Sequence, residues 1–388
     1  MKKILIALCC VLCSIISGIS CINIGNVQAE SNELAINSKS CFLMDFDSET
    51  VLFEENSNER VPVASIVKLM TTLIAFEEID KGNLRLDEKL IASEYAASMG
   101  GSQVFIDAYE EYLVEDMIKS VIVASANDAS VAIAEKIAGS EESFVSLMNR
   151  RAKELGLKDT NYVNASGLPE PGQYSTARDV AILTKEVLKN KRYFEYSTIW
   201  LDELTHPSGR KTELANTNKL IRYFKNCDAG KTGSTDEAGY CLTASAERNN
   251  MRLIAVVLGA TTGTERFNET SKLLSFGFNN FENKQIVDKS VASVTLEVLN
   301  SKTKEICVFP SKDYYAVAKK GENSTFEYLL EIPENIKAPI GNGEAVGKLK
   351  VIKNGVTVCE IDLIVNEDIE KLTYMDSIKE IIANWWTF

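Results

Sequence analysis

Residues 62–71 read Pro-Val-Ala-Ser-Ile-Val-Lys-Leu-Met-Thr. Apolar residues recur from here at roughly helical spacing, which predicts a helix from Ser65 to Glu78 with Pro62 just before its start. A serine and a lysine three residues apart share one face of a helix, so the lysine nitrogen can reach the hydroxyl. A serine needs an adjacent base to be nucleophilic, and a lysine with a lowered pKa can serve. The stretch therefore predicts Ser65 as nucleophile and Lys68 as its base.

Composition restricts the possible functions. The chain has 388 residues, of which 45% are hydrophobic and 25% charged, which is typical of a globular protein of roughly two to three domains. Its formal net charge of −13 argues against a broad basic surface for nucleic acid. The single histidine, His206, excludes a multi-histidine metal site and is expected to be structural, in a turn. We therefore predict no metal, no cofactor and no nucleic-acid partner, and expect proton transfer to use another residue type.

Residues 1–29 have the features of a signal peptide. Lys2 and Lys3 precede an apolar segment, and Val-Gln-Ala at residues 27–29 resembles a cleavage site. We expect export, either to the outer face of the cytoplasmic membrane or beyond the cell. A retained membrane helix and a lipid anchor at Cys21 are the alternatives. Cleavage leaves five cysteines, which we expect to be small buried residues, with a Cys227–Cys241 bridge as the alternative.

Hydrophobic periodicity predicts a mixed α/β domain over residues 30–284. Residues 39–55 alternate as a hairpin, and two further strands flank a turn at Asn249-Asn250. Helical periods predominate between these strands and follow them, at residues 114–124, 129–138, 141–155, 176–190 and 265–283. A sheet formed by early and late segments, with helices inserted between them, predicts an α/β sandwich with a helical subdomain.

Beyond residue 284 the pattern changes. Six segments between residues 290 and 365 alternate with period two, which predicts a small all-β domain over residues 285–368. Residues 369–388 form an amphipathic pattern that ends in Trp385, Trp386 and Phe388, side chains suited to a bilayer interface. We therefore predict a C-terminal helix with peripheral membrane contact. Packing of this helix on the β domain is the alternative.

Two further motifs accompany Ser65 and Lys68. Ser125-Ala-Asn127 lies between two helical segments, where polar side chains can project into a cleft, and Asp128 is the expected N-cap of the following helix. Lys231-Thr232-Gly233 enters a strand, where the glycine lets another segment approach the backbone closely. Each motif is weak alone. In the order S-x-x-K, S-x-N, K-T-G they are the signature of penicillin-recognising serine enzymes.

With these motifs, the chain resembles the serine-type D-alanyl-D-alanine carboxypeptidases, the low-molecular-weight penicillin-binding proteins of peptidase family S11. Flanking segments match as well, among them Asn-Ala-Ser-Gly-Leu-Pro at 164–169 and Asn-Thr-Asn-Lys-Leu at 216–220. The resemblance implies the transpeptidase fold that penicillin-binding proteins share with β-lactamases, a sheet flanked by helices plus a helical subdomain. It also implies removal of the terminal D-alanine from peptidoglycan stem pentapeptides through a Ser65 acyl-enzyme, with β-lactams as covalent inhibitors.

The resemblance assigns roles to nine residues. Lys68 would be the base for Ser65, Ser125 would relay a proton to the leaving amine, and Asn127 would hold Lys68 and the substrate amide. Lys231 and Arg266 would meet the substrate carboxylate beside Thr232 and Gly233, and the N–H groups of Ser65 and Ser234 would form the oxyanion hole. Ser234 is a departure, because some relatives carry histidine there.

Two other functions share these motifs. A class A β-lactamase positions its hydrolytic water with a glutamate in an E-x-x-L-N context, and the nearby candidate, Glu170, lacks that context. A degenerate penicillin-binding scaffold that acts through its β domain is the non-enzymatic alternative.

Overall fold

The computed structural model describes residues 34–322 and 325–385, so the predicted signal peptide at residues 1–29 lies outside the described part. The helices are α1 (Lys68–Asp80), α2 (Glu94–Ala97), α3 (Val114–Val123), α4 (Asn127–Ala138), α5 (Glu141–Glu154), α6 (Ala177–Leu188), α7 (Arg192–Ser197), α8 (Leu220–Tyr223), α9 (Gly263–Asn280) and α10 (Tyr374–Trp385). The strands are β1 (Ser40–Asp45), β2 (Val51–Glu55), β3 (Lys89–Ile91), β4 (Glu111–Leu113), β5 (Leu201–Thr205), β6 (Lys211–Ala215), β7 (Cys227–Thr235), β8 (Gly239–Arg248), β9 (Met251–Ala260), β10 (Phe281–Val287), β11 (Val294–Leu299), β12 (Glu305–Pro310), β13 (Tyr314–Lys319), β14 (Glu327–Glu331), β15 (Asn335–Lys337), β16 (Ala345–Lys353) and β17 (Val356–Ile364).

An antiparallel sheet in the order β2-β1-β9-β8-β7 forms the centre of the first domain. The hairpin predicted at residues 39–55 is confirmed as β1 and β2. The turn predicted between the next two strands is confirmed as well: Asn249 and Asn250 join β8 to β9, both with positive φ (51° and 58°). Two consecutive positive φ values match the right-handed twist of a hairpin, and asparagine tolerates them.

Helices cover both faces of this sheet. On β1, Phe42 and Met44 belong to the core shared with the helical subdomain, whereas Leu43 points to the other face. On that other face α9 approaches closely at Gly277, where a Cβ would lie 2.4 Å from Leu253 Cδ1. Because successive strand residues point to opposite faces, the sheet is buried on both sides. β7 is the last strand of the sheet, and the 3₁₀ turn Ala64–Val67 packs against it.

Two details of the helical subdomain differ from prediction. Ser65 lies in the 3₁₀ turn, and the α-helix begins only at Lys68. The prediction of Asp128 as an N-cap is wrong, because α4 begins at Asn127 after an extended Ala126. Asp128 instead accepts hydrogen bonds from the backbone of residues 104 and 106, so its carboxylate serves a distant segment.

The C-terminal part is all-β, as predicted. A six-stranded sheet in the order β14-β16-β17-β12-β11-β15 encloses an apolar core with Val308, Val351 and Leu363, and β10 pairs with β13. The periodicity missed β10 and the three-residue β15. The proposed boundary between residues 284 and 285 falls within β10.

Three of the five cysteines in the described residues are buried, and two are not. Cys41, Cys227 and Cys241 are buried free thiols, so the alternative bridge between the last two is not formed. The expectation of burial is wrong for Cys307, which is exposed because Ile306 and Val308 take the inward positions of β12. Cys359 is half-buried.

A helix forms within the predicted C-terminal segment as α10, and residues 386–388 lie outside the described part. Across residues 34–322 and 325–385, every helix is too short or too polar to cross a bilayer.

Candidate active site

Ser65 lies in a narrow space between two glycines. The preceding Ala64 has a positive φ of 49°, a strained conformation for a residue with a side chain. A Cβ at Gly233 would lie 2.6 Å from Val63 O, and a Cβ at Gly167 would lie 2.2 Å from Ala64 O. Both positions therefore require glycine, because any side chain would push the serine turn out of place.

The Lys68 amine is surrounded by three oxygens. Its Nζ lies 2.9 Å from Ser65 Oγ and 2.6 Å from Asn127 Oδ1, and it also contacts Ser166 O. The amide and backbone carbonyl oxygens can only accept, and a neutral amine has two N–H groups and one lone pair. The two carbonyls therefore take both N–H groups, which leaves the lone pair for the Ser65 hydroxyl proton.

Electrostatics favour this neutral amine. Lys68 is fully buried, and burial together with the positive charge of Lys231 holds the pKa of Lys68 well below the ordinary lysine value. The carboxylate of Asp128 acts in the opposite direction and raises the pKa of Lys68. The balance favours a base over a cation.

A second lysine–serine pair faces the first. Lys231 Nζ donates to Ser125 Oγ over 2.7 Å, and both residues are buried. Ser125 has a positive φ of 62°, which places its side chain in the gap between α3 and α4, as the motif predicts. Burial and the charge of Arg266 lower the pKa of Lys231 to about 7. Lys231 can thus exchange a proton near neutral pH.

Asn127 joins the pairs to the surrounding backbone. Its side-chain amide accepts from Lys68 and donates to Gly100 O over 2.7 Å. Its backbone N–H donates to Ser102 O, also over 2.7 Å. The orientation of the amide is therefore set by the loop before β4.

The remaining predicted residues lie along β7 and behind it. Thr232 Oγ1 donates to Thr217 Oγ1 over 2.7 Å, and Ser234 is exposed beside Tyr240. Arg266 Nη1 donates to the carbonyls of Gly233 (3.0 Å) and Cys241 (3.3 Å), which ties α9 to the K-T-G strand. The structure thus brings all nine predicted residues to one edge of the sheet, with part of the Arg266 guanidinium engaged by backbone.

Sequence reasoning missed the contribution of residues 164–168. Ser166 O accepts from Lys68, and Gly167 packs against Ala64. Both contacts use the main chain, which carries no residue-type signature. The available signal was the flanking segment Asn-Ala-Ser-Gly-Leu-Pro, in which Asn164 Oδ1 accepts from Gly167 N over 2.7 Å and shapes the turn.

His206 is structural, as predicted. It is buried between the Tyr112 hydroxyl (3.0 Å from Nδ1) and Thr212 Oγ1 (2.9 Å from Nε2). Within residues 34–322 and 325–385, no group of three His, Cys, Asp or Glu side chains is placed to hold a metal ion.

Two family models match the chain. Residues 26–262 match D-alanyl-D-alanine carboxypeptidase, peptidase S11, and residues 281–371 match the C-terminal domain of penicillin-binding protein 5. The chain belongs to the D-alanyl-D-alanine carboxypeptidase family. It is 42% identical over 359 residues to D-alanyl-D-alanine carboxypeptidase DacF of Bacillus subtilis, covering 92% of each chain. It is 35% identical to DacC of Escherichia coli, covering 87% of this chain and 85% of that one.

Solved structures confirm the predicted fold class for this carboxypeptidase family member. Penicillin-binding protein 5 from Haemophilus influenzae superimposes with a TM-score of 0.70 at 31% identity, covering 87% of this chain and 98% of that one. Penicillin-binding protein D2 from Listeria monocytogenes, solved in an ampicillin-bound form, gives a TM-score of 0.54 at 32% identity. The latter covers 63% of this chain and 98% of its own.

Proposed function

We propose that the chain is a serine-type D-alanyl-D-alanine carboxypeptidase that uses Ser65 to remove the terminal D-alanine of peptidoglycan stem pentapeptides. The observation that carries this proposal is the 2.9 Å contact between Lys68 Nζ and Ser65 Oγ, with the carbonyl oxygens of Asn127 and Ser166 as the other two partners of the amine. A buried neutral amine beside a hydroxyl is the arrangement that activates a serine without histidine.

Acylation follows from this arrangement. Ser65 Oγ attacks the carbonyl carbon of the penultimate D-alanine, and its proton passes to the lone pair of Lys68 Nζ. The N–H groups of Ser65 and Ser234 stabilise the oxyanion. The C–N bond of the tetrahedral intermediate then breaks, and the departing amine needs a proton.

The second pair supplies the route for that proton. Ser125 donates its hydroxyl proton to the leaving amine and is reprotonated by Lys231, whose Nζ lies 2.7 Å away; the proton that Lys68 took from Ser65 then passes to Lys231 and leaves Lys68 as a base again. Lys231, Thr232 and Gly233 line the strand on which the terminal carboxylate sits, with Arg266 behind them as a second positive charge. Asn127 holds the substrate amide as well as Lys68. Water then hydrolyses the ester and releases the shortened peptide with free Ser65.

Labelling with a fluorescent penicillin tests this assignment. Wild-type protein is expected to form a stable adduct and to release D-alanine from a peptide ending in D-Ala-D-Ala, whereas Ser65→Ala does neither. Ser208→Ala, in the exposed turn between β5 and β6, is the matched control and keeps both activities. Labelling that persists in Ser65→Ala contradicts the assignment. Rapid penicillin turnover without D-alanine release points instead to a β-lactamase.

The same proposal includes an exported enzyme that meets the membrane through its last helix. On α10 the side chains of Tyr374, Met375 and Ile382 are 82%, 62% and 50% exposed. These positions lie within about 100° on a helical wheel. An apolar face of this kind suits an interfacial helix. Asp376 pairs with Lys302 at 2.9 Å, so the start of the helix is held on the β domain.

Fractionation of cells tests the membrane contact. Deletion of residues 374–388 removes the helix but keeps the buried Ile369, so the β domain should stay folded. The truncated protein is expected in the soluble exported fraction and the full chain with membranes. Replacement of the polar Lys379 by Gln is the control and leaves the distribution unchanged. Equal membrane association of the truncated and full chains contradicts the proposal.

A further inference from the structure

Asp128 is a carboxylate buried beside the site that the proposed reaction does not use. It lies in the first turn of α4 and is 0% exposed. It accepts from the backbone N–H groups of Ala129 (2.9 Å), Val104 (3.0 Å) and Ile106 (3.2 Å). Burying a carboxylate costs free energy even when it is hydrogen-bonded. A buried charge at this position therefore indicates a role that an apolar side chain could not fulfil.

The segment that Asp128 binds is a strap, residues 100–106, which runs along the first turn of α4. Gly100 O and Ser102 O accept from Asn127, and the N–H groups of Val104 and Ile106 donate to Asp128. Every second residue of the strap is therefore hydrogen-bonded to either Asn127 or Asp128, the first two residues of α4.

The far side of the strap is fixed as well. Arg210, in the β5–β6 hairpin, donates to Phe105 O over 2.5 Å and to Asp107 Oδ2 over 3.0 Å. Phe105 itself has a positive φ of 61°, a conformation that persists only when the surroundings impose it. The strap is therefore held from both sides, with Asp128 as its anchor on the catalytic side.

Asn127 depends on this anchor. Its amide nitrogen is committed to Gly100 O, which turns the amide oxygen toward Lys68 Nζ. If the strap moves away, the amide loses the partner that sets its orientation, and Lys68 loses one of the two acceptors that keep its lone pair on Ser65. Asp128 also places a negative charge close enough to raise the pKa of Lys68 against burial and Lys231.

We propose that Asp128 is a positioning residue for the reaction at Ser65: its carboxylate ties the strap to α4, which fixes Asn127 and, through Asn127, the nitrogen of Lys68. This inference rests on the proposed function. It adds a residue that touches neither the substrate nor the reacting atoms but sets the geometry and charge around the base.

Asp128→Asn tests the proposal by keeping the shape and removing the charge. The amide presents one acceptor oxygen where the carboxylate presents two, so we expect penicillin acylation to slow by ~10-fold to ~100-fold, as for a small displacement of a reacting group. The pH profile should also change. Without the negative charge the pKa of Lys68 falls, so the rising limb of the acylation rate moves to lower pH.

Other titratable groups around the strap and the base do not mimic that shift. Lys231 faces Lys68 from β7, and its lowering effect on the pKa of Lys68 is present in wild type and variant alike. His206 faces the strap from the β5–β6 hairpin with Arg210, opposite Asp107. Burial and Arg210 lower the pKa of His206, and loss of the Asp128 charge lowers it further. The imidazole therefore titrates below the ordinary histidine value in both proteins.

Gly101→Ala tests the same contact from the strap side without altering charge. Gly101 has a φ of 74°, and a Cβ there would lie 2.8 Å from Asn127 Nδ2. We expect slower acylation with an unmoved rising limb. The control is Glu135→Gln, farther along α4, where Glu135 accepts from Ser93 Oγ. This variant should keep both the wild-type acylation rate and the wild-type pH dependence of that rate.

The outcomes separate this inference from the function it rests on. Wild-type protein that does not acylate at Ser65 overturns the proposed function itself. Acylating wild type with an Asp128→Asn protein that has the wild-type rate, or a slower rate with an unmoved limb, overturns only the role of Asp128. If melting curves show that Asp128→Asn does not fold, Gly101→Ala decides, and a wild-type rate there overturns the proposal.

Discussion

Single atoms decide the geometry around Ser65. The strained Ala64 can hold its positive φ only because backbone packs against it on both sides, and that packing needs the missing side chains of Gly167 and Gly233. The Lys68 amine is likewise oriented by two carbonyls. The nucleophile is thus placed by its surroundings before any substrate arrives, which is the condition for efficient transition-state stabilisation.

Gly233→Ala is expected to slow acylation by a fluorescent penicillin by ~100-fold, because its Cβ would lie 2.6 Å from Val63 O and displace the serine turn. Gly341→Ala is the control, since the nearest atom to a Cβ there is 3.8 Å away and its φ is not positive. Equal rates for the two variants would show that the close approach at Gly233 does not matter.

Lys68→Arg should abolish labelling at every pH between about 5 and 9, because a guanidinium stays charged and has no lone pair to offer. In wild-type protein, burial and the charge of Lys231 hold the pKa of Lys68 well below the ordinary lysine value. The acylation rate should therefore fall as the pH drops through that lowered pKa. Stopped-flow labelling across this range measures both profiles. A wild-type rate that rises only near the ordinary lysine pKa contradicts a neutral base.

Several site residues lie at or between the ends of helices. Ser125 lies in the break between α3 and α4, Asn127 is the first residue of α4, and the turn at residues 164–168 brings a carbonyl to Lys68. Lys231 is the exception, because it lies in the middle of β7. Side chains at such ends are free to project, because the regular hydrogen bonding of the element stops there. The turn at 164–168 depends on its own side chain for shape.

Asn164→Ala tests the turn. Asn164 accepts from Gly167 N (2.7 Å) and donates to Leu168 O (3.0 Å), so its loss frees the Ser166 carbonyl that Lys68 contacts. We expect acylation to slow by ~10-fold or more. Asn161→Ala removes an exposed hydrogen bond to Gly172 O and serves as the control, with the wild-type rate. A slower rate in both variants would indicate a general loss of structure.

The motifs and the hydrophobic periods predicted most of these elements, since each depends on local side chains. Two kinds of feature escaped. Short or polar strands such as β15 and β10 are specified by the strands they pair with, and their own sequences show little alternation of apolar and polar residues. Main-chain groups such as Ser166 O act regardless of residue type, so no residue pattern indicates them. The neighbours of Asp128 in the sequence predict an N-cap, whereas its main partners are 22 and 24 residues away and leave no local pattern.

Across the whole molecule, buried amines link catalysis to stability. Lys231 has a pKa of about 7 in the folded chain, against 10.5 as the ordinary value. Above pH 7 the unfolded chain therefore binds more protons at this site than the folded chain does. The free energy of unfolding rises with pH wherever the unfolded state binds more protons. The molecule should be more stable at mildly alkaline pH because of the groups that serve its site.

Urea unfolding of wild type and Lys231→Met between about pH 7 and 8.5 tests this link. The wild-type free energy of unfolding is expected to gain up to ~1.4 kcal/mol per pH unit from Lys231, and the variant loses that gain. The window ends there because the raised pKa values of buried thiols such as Cys241 act in the opposite direction at higher pH. Lys219→Met, at an exposed lysine, keeps the wild-type slope. Parallel slopes in wild type and Lys231→Met contradict a lowered pKa of Lys231.

β7 is the last strand of its sheet, and Ser65 lies beside it. An extended ligand can join a sheet as an extra strand, and on β7 the carbonyls of Asp228 and Gly230 already accept from Ser197 and Tyr193, which leaves the end of the strand near Ser234 for such a ligand. Under the proposed function, substrate and β-lactam would meet the same main-chain atoms, and among point substitutions only one to proline removes such an N–H group. Under that function, a change in the shape of this strand that weakens binding of the drug is expected to weaken binding of the natural substrate as well.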